Sequence, residues 1–270
     1  MQAYHDLVRR VLENGVYKTN RTGTDTISSF AEFYKVDLSE GFPLLTTKKM
    51  HFRSVIMELL WYLRGEDHIR WLRDENDVHI WDAWADPDGN VGPIYPVMWR
   101  RFPYPDSSNG HVVHKEYDQI SEVIRTIKTN PSSRRMVVSA WNPGMLSKQK
   151  LPPCHVMFIF NVTGDRLNCH LTQRSGDIAL GIPFNLACYA ALTMAIANET
   201  GYKPGTFAHT IVDAHIYVNH VDGLKKQLER DFLPLPSLEI AKKPVLELSY
   251  EDFTLQNYQH HPFIKFEVAV

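Results

Sequence analysis

Cysteine is scarce: three in 270 residues, Cys154, Cys169 and Cys188, too scattered for a disulfide framework and with no Cys-x-x-Cys pair to hold a metal or a dithiol. A reducing cytoplasm is the expected compartment. No excess of charge of either sign exists, since 29 Lys and Arg against 31 Asp and Glu leave a net charge of −2. That balance argues against a nucleic-acid or membrane-surface partner held by an overall positive field, so any bound anion must be met by a few placed arginines. Neither Gly-x-Gly-x-x-Gly nor Gly-x-x-x-x-Gly-Lys-Ser/Thr occurs, which removes the main support for a dinucleotide or phosphate-loop site. The start, Met-Gln-Ala-Tyr-His-Asp, lacks an apolar signal core, and the hydrophobic runs fall short of the roughly 18 residues a membrane helix needs. With 14 glycines, no repeats and no flexible linker, but 44% hydrophobic side chains, residues 1–270 are expected to form a single domain.

Periodicity supplies the elements. Tyr4, Leu7, Val8, Val11 and Leu12 recur at helical spacing up to Gly15, and Phe52, Val55, Ile56, Leu59, Leu60 and Leu63 form a broader stripe that ends at Gly65. Further helices are expected over Tyr117 to Thr129, over Leu186 to Glu199, and from near His215 to Leu228. Strands are expected over Ile27 to Leu38, Met136 to Trp141, Val156 to Val162 and Arg166 to Gln173, and extended chain over Leu246 to Tyr250 and Phe263 to Val268. Phe102 to Val113 is the most loop-like insert and is expected on the surface. Helices and strands without regular βαβ alternation point to an α+β fold.

Among groups that carry chemistry, Cys154 follows Leu151-Pro152-Pro153 and precedes a strand, where its sulfur could face a cleft or lie buried as a small hydrophobe. Adjacent residues on a strand point to opposite faces, so His155 is badly placed as its base, and activation must come from positive charge elsewhere. Ser133-Arg134-Arg135 and Gln173-Arg174-Ser175 each join guanidinium to hydroxyl, the equipment for a phosphate dianion. Trp81 and Trp84 are either core or a surface for a flat ring. His215, Tyr217 and His220 lack the carboxylate or thiolate that would complete a metal site, and no metal is expected.

These pieces, in order, resemble the folate-dependent thymidylate synthases along nearly the whole chain. The resemblance rests on Arg21-Thr22-Gly23-Thr24, the run from Phe42 to Lys49, Glu58-Leu59-Leu60-Trp61, Ile80-Trp81-Asp82, Gly92-Pro93-Ile94-Tyr95, Ser133-Arg134-Arg135 and Pro153-Cys154-His155. It continues through Gln173-Arg174-Ser175-Gly176-Asp177, Leu180 to Asn185, Asp213 to Tyr217 and Glu267 to Val270. It implies a mixed sheet packed with helices, one sheet face forming a homodimer interface, and methylation of dUMP to dTMP with 5,10-methylenetetrahydrofolate as co-substrate. Cys154 matches the nucleophile that adds to uracil C6. Glu58, Tyr95, His155 and Asn185 match the proton-transfer network, with Asn185 also reading the base. Arg21, Arg174 and Ser175 match phosphate ligands, Arg134 and Arg135 match phosphate ligands lent by the partner subunit, and His215 with Tyr217 matches the pair on the sugar hydroxyl. Asp177 matches the carboxylate that bonds the pterin. His51, Ile80, Trp81, Trp84, Leu151, Gly181, Phe184 and Ala269 match the folate site, Lys48 its glutamate tail, and Trp81 also guards the reacting carbon from water.

Three neighbours depart from the family pattern: Pro96 and Met98 stand where a glycine and a glutamine are usual, and Val212 where glycine is usual. They keep a pyrimidine-nucleotide 5-hydroxymethylase, acting on dUMP or dCMP, as the alternative function. A non-catalytic nucleotide- or RNA-binding relative would be expected to lose the nucleophile or a phosphate arginine, and this chain keeps both.

Overall fold

The computed structural model describes residues 1–20, 23–107 and 110–268. Its centre is a six-stranded mixed sheet built from β1 (Val16–Lys18), β2 (Thr26–Asp37), β5 (Val137–Ser139), β6 (His155–Thr163), β7 (Arg166–Asp177) and β8 (Lys203–Tyr217). The spatial order is β1-β2-β8-β7-β6-β5, antiparallel throughout except for β7 and β8, which run parallel. A parallel pair needs a crossover, and helix α5 (Gly181–Thr200) supplies it. Two hairpins stand apart: β3 (Phe102–Asp106) with β4 (Val113–Tyr117), and β9 (Ser237–Ile240) with β10 (Phe253–Gln256). The fold is α+β, as expected.

Alternation decides which sheet face is covered. Tyr34, Phe158, Phe160, Leu171, Phe207 and Ile211 point into the core, each worth about 2 kcal/mol of burial. Helices α1 (Gln2–Asn14), α2 (Phe52–Arg64), α4 (Gln119–Thr129) and α5 pack on this side or on one another. On the opposite side Phe30 and Phe33 are 83% and 51% exposed.

Several expectations are corrected. Helix α5 begins at Gly181, with Pro183 inside its first turn, where a missing N–H breaks no bond. It is long and apolar enough to cross a membrane by length and composition, contrary to the sequence reading, yet it is mostly buried against α2, β7 and β8. His215 to Tyr217 belongs to β8, and the helix that follows is only Val221–Leu228 (α6). Residues 113–117 form β4, so the helix expected from Tyr117 starts at Gln119, capped by Asp118 accepting from the Ser121 amide. The insert from Phe102 is a surface hairpin in place of a plain loop. The stretch from Leu246 to Tyr250 turns through two 3-10 turns, Val245–Glu247 and Tyr250–Asp252.

Two glycines are required by close approach, and the second places the site. At Gly15 φ is −70°, so left-handed backbone is not the reason for glycine; an added Cβ would lie 2.4 Å from the Val11 carbonyl and 2.6 Å from Ile27. Gly92 has φ +78°, and a Cβ there would lie 2.1 Å from the Lys148 carbonyl. Lys150 N also donates to Val91 O at 3.1 Å and Gln149 Nε2 to Pro93 O at 2.7 Å. The segment leading to Cys154 is thereby laid against the segment leading to α3 (Tyr95–Arg100).

Candidate active site

Cys154, half-buried, sits at the mouth of β6 after the rigid Pro152-Pro153 turn. Arg174, on the neighbouring β7, clasps that turn: Nε donates to Pro153 O at 2.9 Å and Nη2 to Pro152 O at 2.8 Å, while Nη2 lies 3.7 Å from the Cys154 sulfur. The Arg174 amide also donates to Cys154 O at 2.9 Å. From below, the Tyr95 hydroxyl accepts from the Cys154 amide at 2.7 Å and the His155 amide at 3.3 Å. Tyr95 and His155 rings lie 4.6 Å apart. Burial, and then the sulfur of Cys154, push the Tyr95 phenol well above its ordinary pKa.

His155 turns into the core, away from the cysteine, as the strand argument requires. Its Nδ1 meets the Tyr189 hydroxyl at 3.2 Å, and it hydrogen-bonds with Asn185. Burial pushes its pKa down to about 3, so the ring is neutral at physiological pH.

Glu58 projects from the buried face of α2 and accepts from Trp81 Nε1 at 2.8 Å. Desolvation raises its carboxyl to about 7, against the opposing hydrogen bonds of Trp81 and Tyr62. Trp81 packs on Tyr95 at 6.0 Å and on Trp84 at 5.6 Å between ring centroids, joining the carboxyl to the cysteine's support. This links a proton donor or acceptor poised near neutrality, through Trp81 and Tyr95, to the backbone of the cysteine.

Asn185 occupies the first turns of α5, and its Oδ1 accepts from Gln173 Nε2 at 3.1 Å. A Cβ on Gly181 would meet Asn185 Oδ1 at 3.8 Å and Asp177 Cβ at 3.9 Å, so these three residues share one corner. Asp177 Oδ1 accepts from the Ala179 and Leu180 amides at 2.9 and 3.3 Å, and His220 Nδ1 stands 3.7 Å away. His215 lies across the β7–β8 ladder from Asp177. Its Nδ1 faces Asp213, with the backbone oxygen at 3.2 Å and Oδ1 at 3.4 Å. That hydrogen bond, with those from Lys18 and Ser28, holds the Asp213 carboxyl far below the usual range. Tyr217 follows two residues on, its ring 5.3 Å from that of His215.

Trp84 joins this network through Trp81, and Ser175 through its carbonyl, which accepts from Gln173 Nε2 at 3.0 Å. Ile80, Trp84, Leu151 and Phe184 are half-buried at the edge of the core, and Ser175 is half-buried on β7. His51 is exposed beside Phe263, their rings 5.6 Å apart. Arg134 and Arg135 are exposed ahead of β5 and make no side-chain hydrogen bond or ion pair among the described residues. Arg21 and Ala269 lie outside the described residues. Lys48 is buried, its ammonium donating to Ala179 O at 2.5 Å and lying 4.7 Å over the Phe266 ring, with burial lowering its pKa to about 8. It is not presented to solvent as a tail-binding lysine would be.

The three departures are absorbed locally. Pro96 takes the second position of α3, where proline is tolerated, and Met98 is fully buried. Val212 falls between the Phe30–Asp213 and Glu32–Ile211 pairs, opposite Ala31, whose φ is +60°. Sequence reasoning gave no role to Gln173, Tyr189, His209 or Tyr34, because a buried polar residue shows its partner only once strand register is known. Among the described residues no cluster of three metal-ligating side chains exists. The thymidylate synthase family model matches residues 2–270, essentially the whole length, and the chain belongs to this family of folate-using pyrimidine methylases and hydroxymethylases.

Proposed function

We propose that the protein is a thymidylate synthase that converts dUMP to dTMP, with Cys154 as the nucleophile. The observation that carries this reading is the half-buried sulfur of Cys154 with the Arg174 guanidinium 3.7 Å away, a setting that favours thiolate. The thiolate adds to uracil C6, a C–S bond forms, and the displaced π pair makes C5 nucleophilic. Tyr95 and Arg174 hold the backbone of the nucleophile from two sides, so the sulfur is aimed before substrate arrives. Glu58, with its carboxyl near 7, shuttles the protons gained and lost at O4 and C5. Elimination of the C6 thiolate then restores the ring double bond.

For the co-substrate, the corner shared by Asp177 and Gly181 offers an acceptor carboxylate and the Trp81–Trp84 pair offers aromatic faces, features that suit a flat heterocycle bearing N–H donors. 5,10-Methylenetetrahydrofolate supplies the one-carbon unit and, in the methylating route, the hydride. Asp177 would hold its ring, with Ile80, Leu151 and Phe184 as apolar walls. His215 faces the sugar through Nε2, which has no partner among the described residues, and Arg174 with Ser175 and Arg21 meets the phosphate.

Trp81 favours methylation over hydroxymethylation. Its buried indole, tied to Glu58 and packed on Tyr95, excludes water from the place where water would capture the one-carbon unit. Incubating the protein with dUMP and methylenetetrahydrofolate should give dihydrofolate in step with dTMP, read by absorbance and nucleotide mass. A product one oxygen heavier than dTMP, with no dihydrofolate, replaces this reading with the hydroxymethylase one.

The uncovered sheet face, with Phe30 and Phe33, suits a second copy of the chain. In such a homodimer Arg134 and Arg135, without partners in their own chain among the described residues, would serve the neighbour's phosphate site.

A further inference from the structure

A buried line of hydrogen bonds crosses the sheet from β2 through β8 and β7 to the start of α5. Gln173 Nε2 lies 3.0 Å from the backbone carbonyl of Ser175, and a carbonyl only accepts, so the amide NH2 must face that way. The same NH2 lies 3.1 Å from Asn185, which must therefore present Oδ1. The carbonyl end of Gln173 is turned to His209 Nε2 at 3.0 Å, so Nε2 carries the ring proton. His209 is fully buried, and desolvation keeps it neutral, leaving Nδ1 bare to accept from the Tyr34 hydroxyl at 2.9 Å. Tyr34 and His209 are paired directly across β2 and β8.

Both ends of this line have one choice. The Ser175 carbonyl cannot donate, and the Tyr34 hydroxyl has no other side-chain or backbone acceptor among the described residues. If His209 carried its proton on Nδ1, the phenolic proton would be stranded in the core and two N–H groups would be lost from the Gln173 side. Reversing the Asn185 amide would set its NH2 against that of Gln173. Each proton position between β2 and α5 is fixed by the next.

We propose that Tyr34 and His209 are positioning residues for base choice: acting through Gln173, they lock the Asn185 amide in the orientation that accepts from uracil N3–H and donates to O4. This rests on Asn185 as the base-reading residue. Asn185 Oδ1 already accepts from Gln173 and meets His155, so uracil N3–H would share this oxygen with them. Cytosine presents the reverse pattern, an acceptor at N3 and a donor at C4, and would require the reversed amide that the relay opposes.

The test compares the unaltered protein with Tyr34→Phe, His209→Leu and His209→Gln. Nitrogen-15 NMR reports the His209 tautomer, and kcat and KM are measured separately for dUMP and dCMP. The expected tautomer is Nε2–H. His209→Leu should lower the dUMP to dCMP ratio of kcat/KM by about tenfold or more, as dUMP is lost and dCMP gained. Tyr34→Phe, which keeps the ring and removes one proton, should lower it by about threefold. His209→Gln, whose amide can still donate to Gln173, should restore most of the ratio. An Nδ1–H tautomer, or equal losses on both nucleotides in His209→Leu and Tyr34→Phe, overturns the relay. An unaltered protein that prefers dCMP overturns the uracil reading itself and the proposal with it, whatever the tautomer.

Discussion

The hydroxyl of Tyr95 accepts hydrogen bonds from the backbone amides of Cys154, at 2.7 Å, and of His155, at 3.3 Å, so the nucleophile's peptide rests on the first residue of α3. The two residues are 59 positions apart, and the Gly92 contact with the Lys148 carbonyl is what brings their segments together. Tyr95 therefore holds the main chain of the cysteine, in addition to any part in moving protons.

Replacing Tyr95 by Phe strands two buried N–H groups. The expected loss is about 2 kcal/mol of stability, measured by denaturant unfolding, with kcat falling more than KM changes because the sulfur loses its aim. A variant of unchanged stability would show that the amides find other partners.

Glu58 predicts a pH signature. Its folded pKa, about 7, lies above the ordinary 4.5, so the native state binds the proton more tightly than the unfolded chain. That contribution to stability is fully present below 4.5 and is lost as pH rises to 7. His155 acts oppositely: its pKa falls from 6.5 to about 3, so its contribution is present above 6.5 and is lost as pH falls toward 3. Relative to Glu58→Gln, whose amide stays neutral, the unaltered protein should lose stability steadily from pH 4.5 to 7. Activity of Glu58→Gln should drop by about a hundredfold or more. A pH-independent stability difference would mean that Glu58 is not shifted upward.

The arginines ahead of β5 can be tested by mixing inactive subunits. Cys154→Ala removes one site, and Arg134→Glu with Arg135→Glu removes the neighbour's phosphate ligands. After subunit exchange, mixed dimers should recover roughly one quarter of normal activity, since half the dimers are mixed and each has one complete site. Mixed dimers confirmed by mass spectrometry but without activity would return both arginines to their own chain.

Ala31 holds a left-handed φ of +60° in the middle of β2, opposite Val212. A side chain there costs about 1 kcal/mol, so Ala31→Gly should raise stability by up to about that amount, visible as a higher Tm. A lower Tm would show that the Cβ makes a compensating contact.

The helices with clean 3.6-residue stripes, α1 and α2, were readable to within a few residues, because burial on one face leaves that mark. Strand β8 was not, since its inward positions include His209, which interrupts the apolar alternation at the residue that enters the relay. Leu246 to Tyr250 looked extended by composition, yet Pro244 and the Ser249–Asp252 capping box bend it. At the site, Cys154, Arg174, Glu58, Tyr95 and Trp81 were legible from residue type and resemblance, and the geometry links them. The Tyr34, His209 and Gln173 partnership was not legible, because it depends on a register set between strands 175 residues apart.

That separation also governs how the chain is made. Translation at about 5–20 residues per second puts roughly 9–35 seconds between the appearance of Tyr34 and that of His209. During that interval β2 has neither its neighbour β8 nor a cover for Phe30 and Phe33, and its open edge is free to pair with other nascent chains. The sheet can close only after Lys203–Tyr217 has emerged, which makes late closure, with the first strands left waiting, a direct result of the strand order.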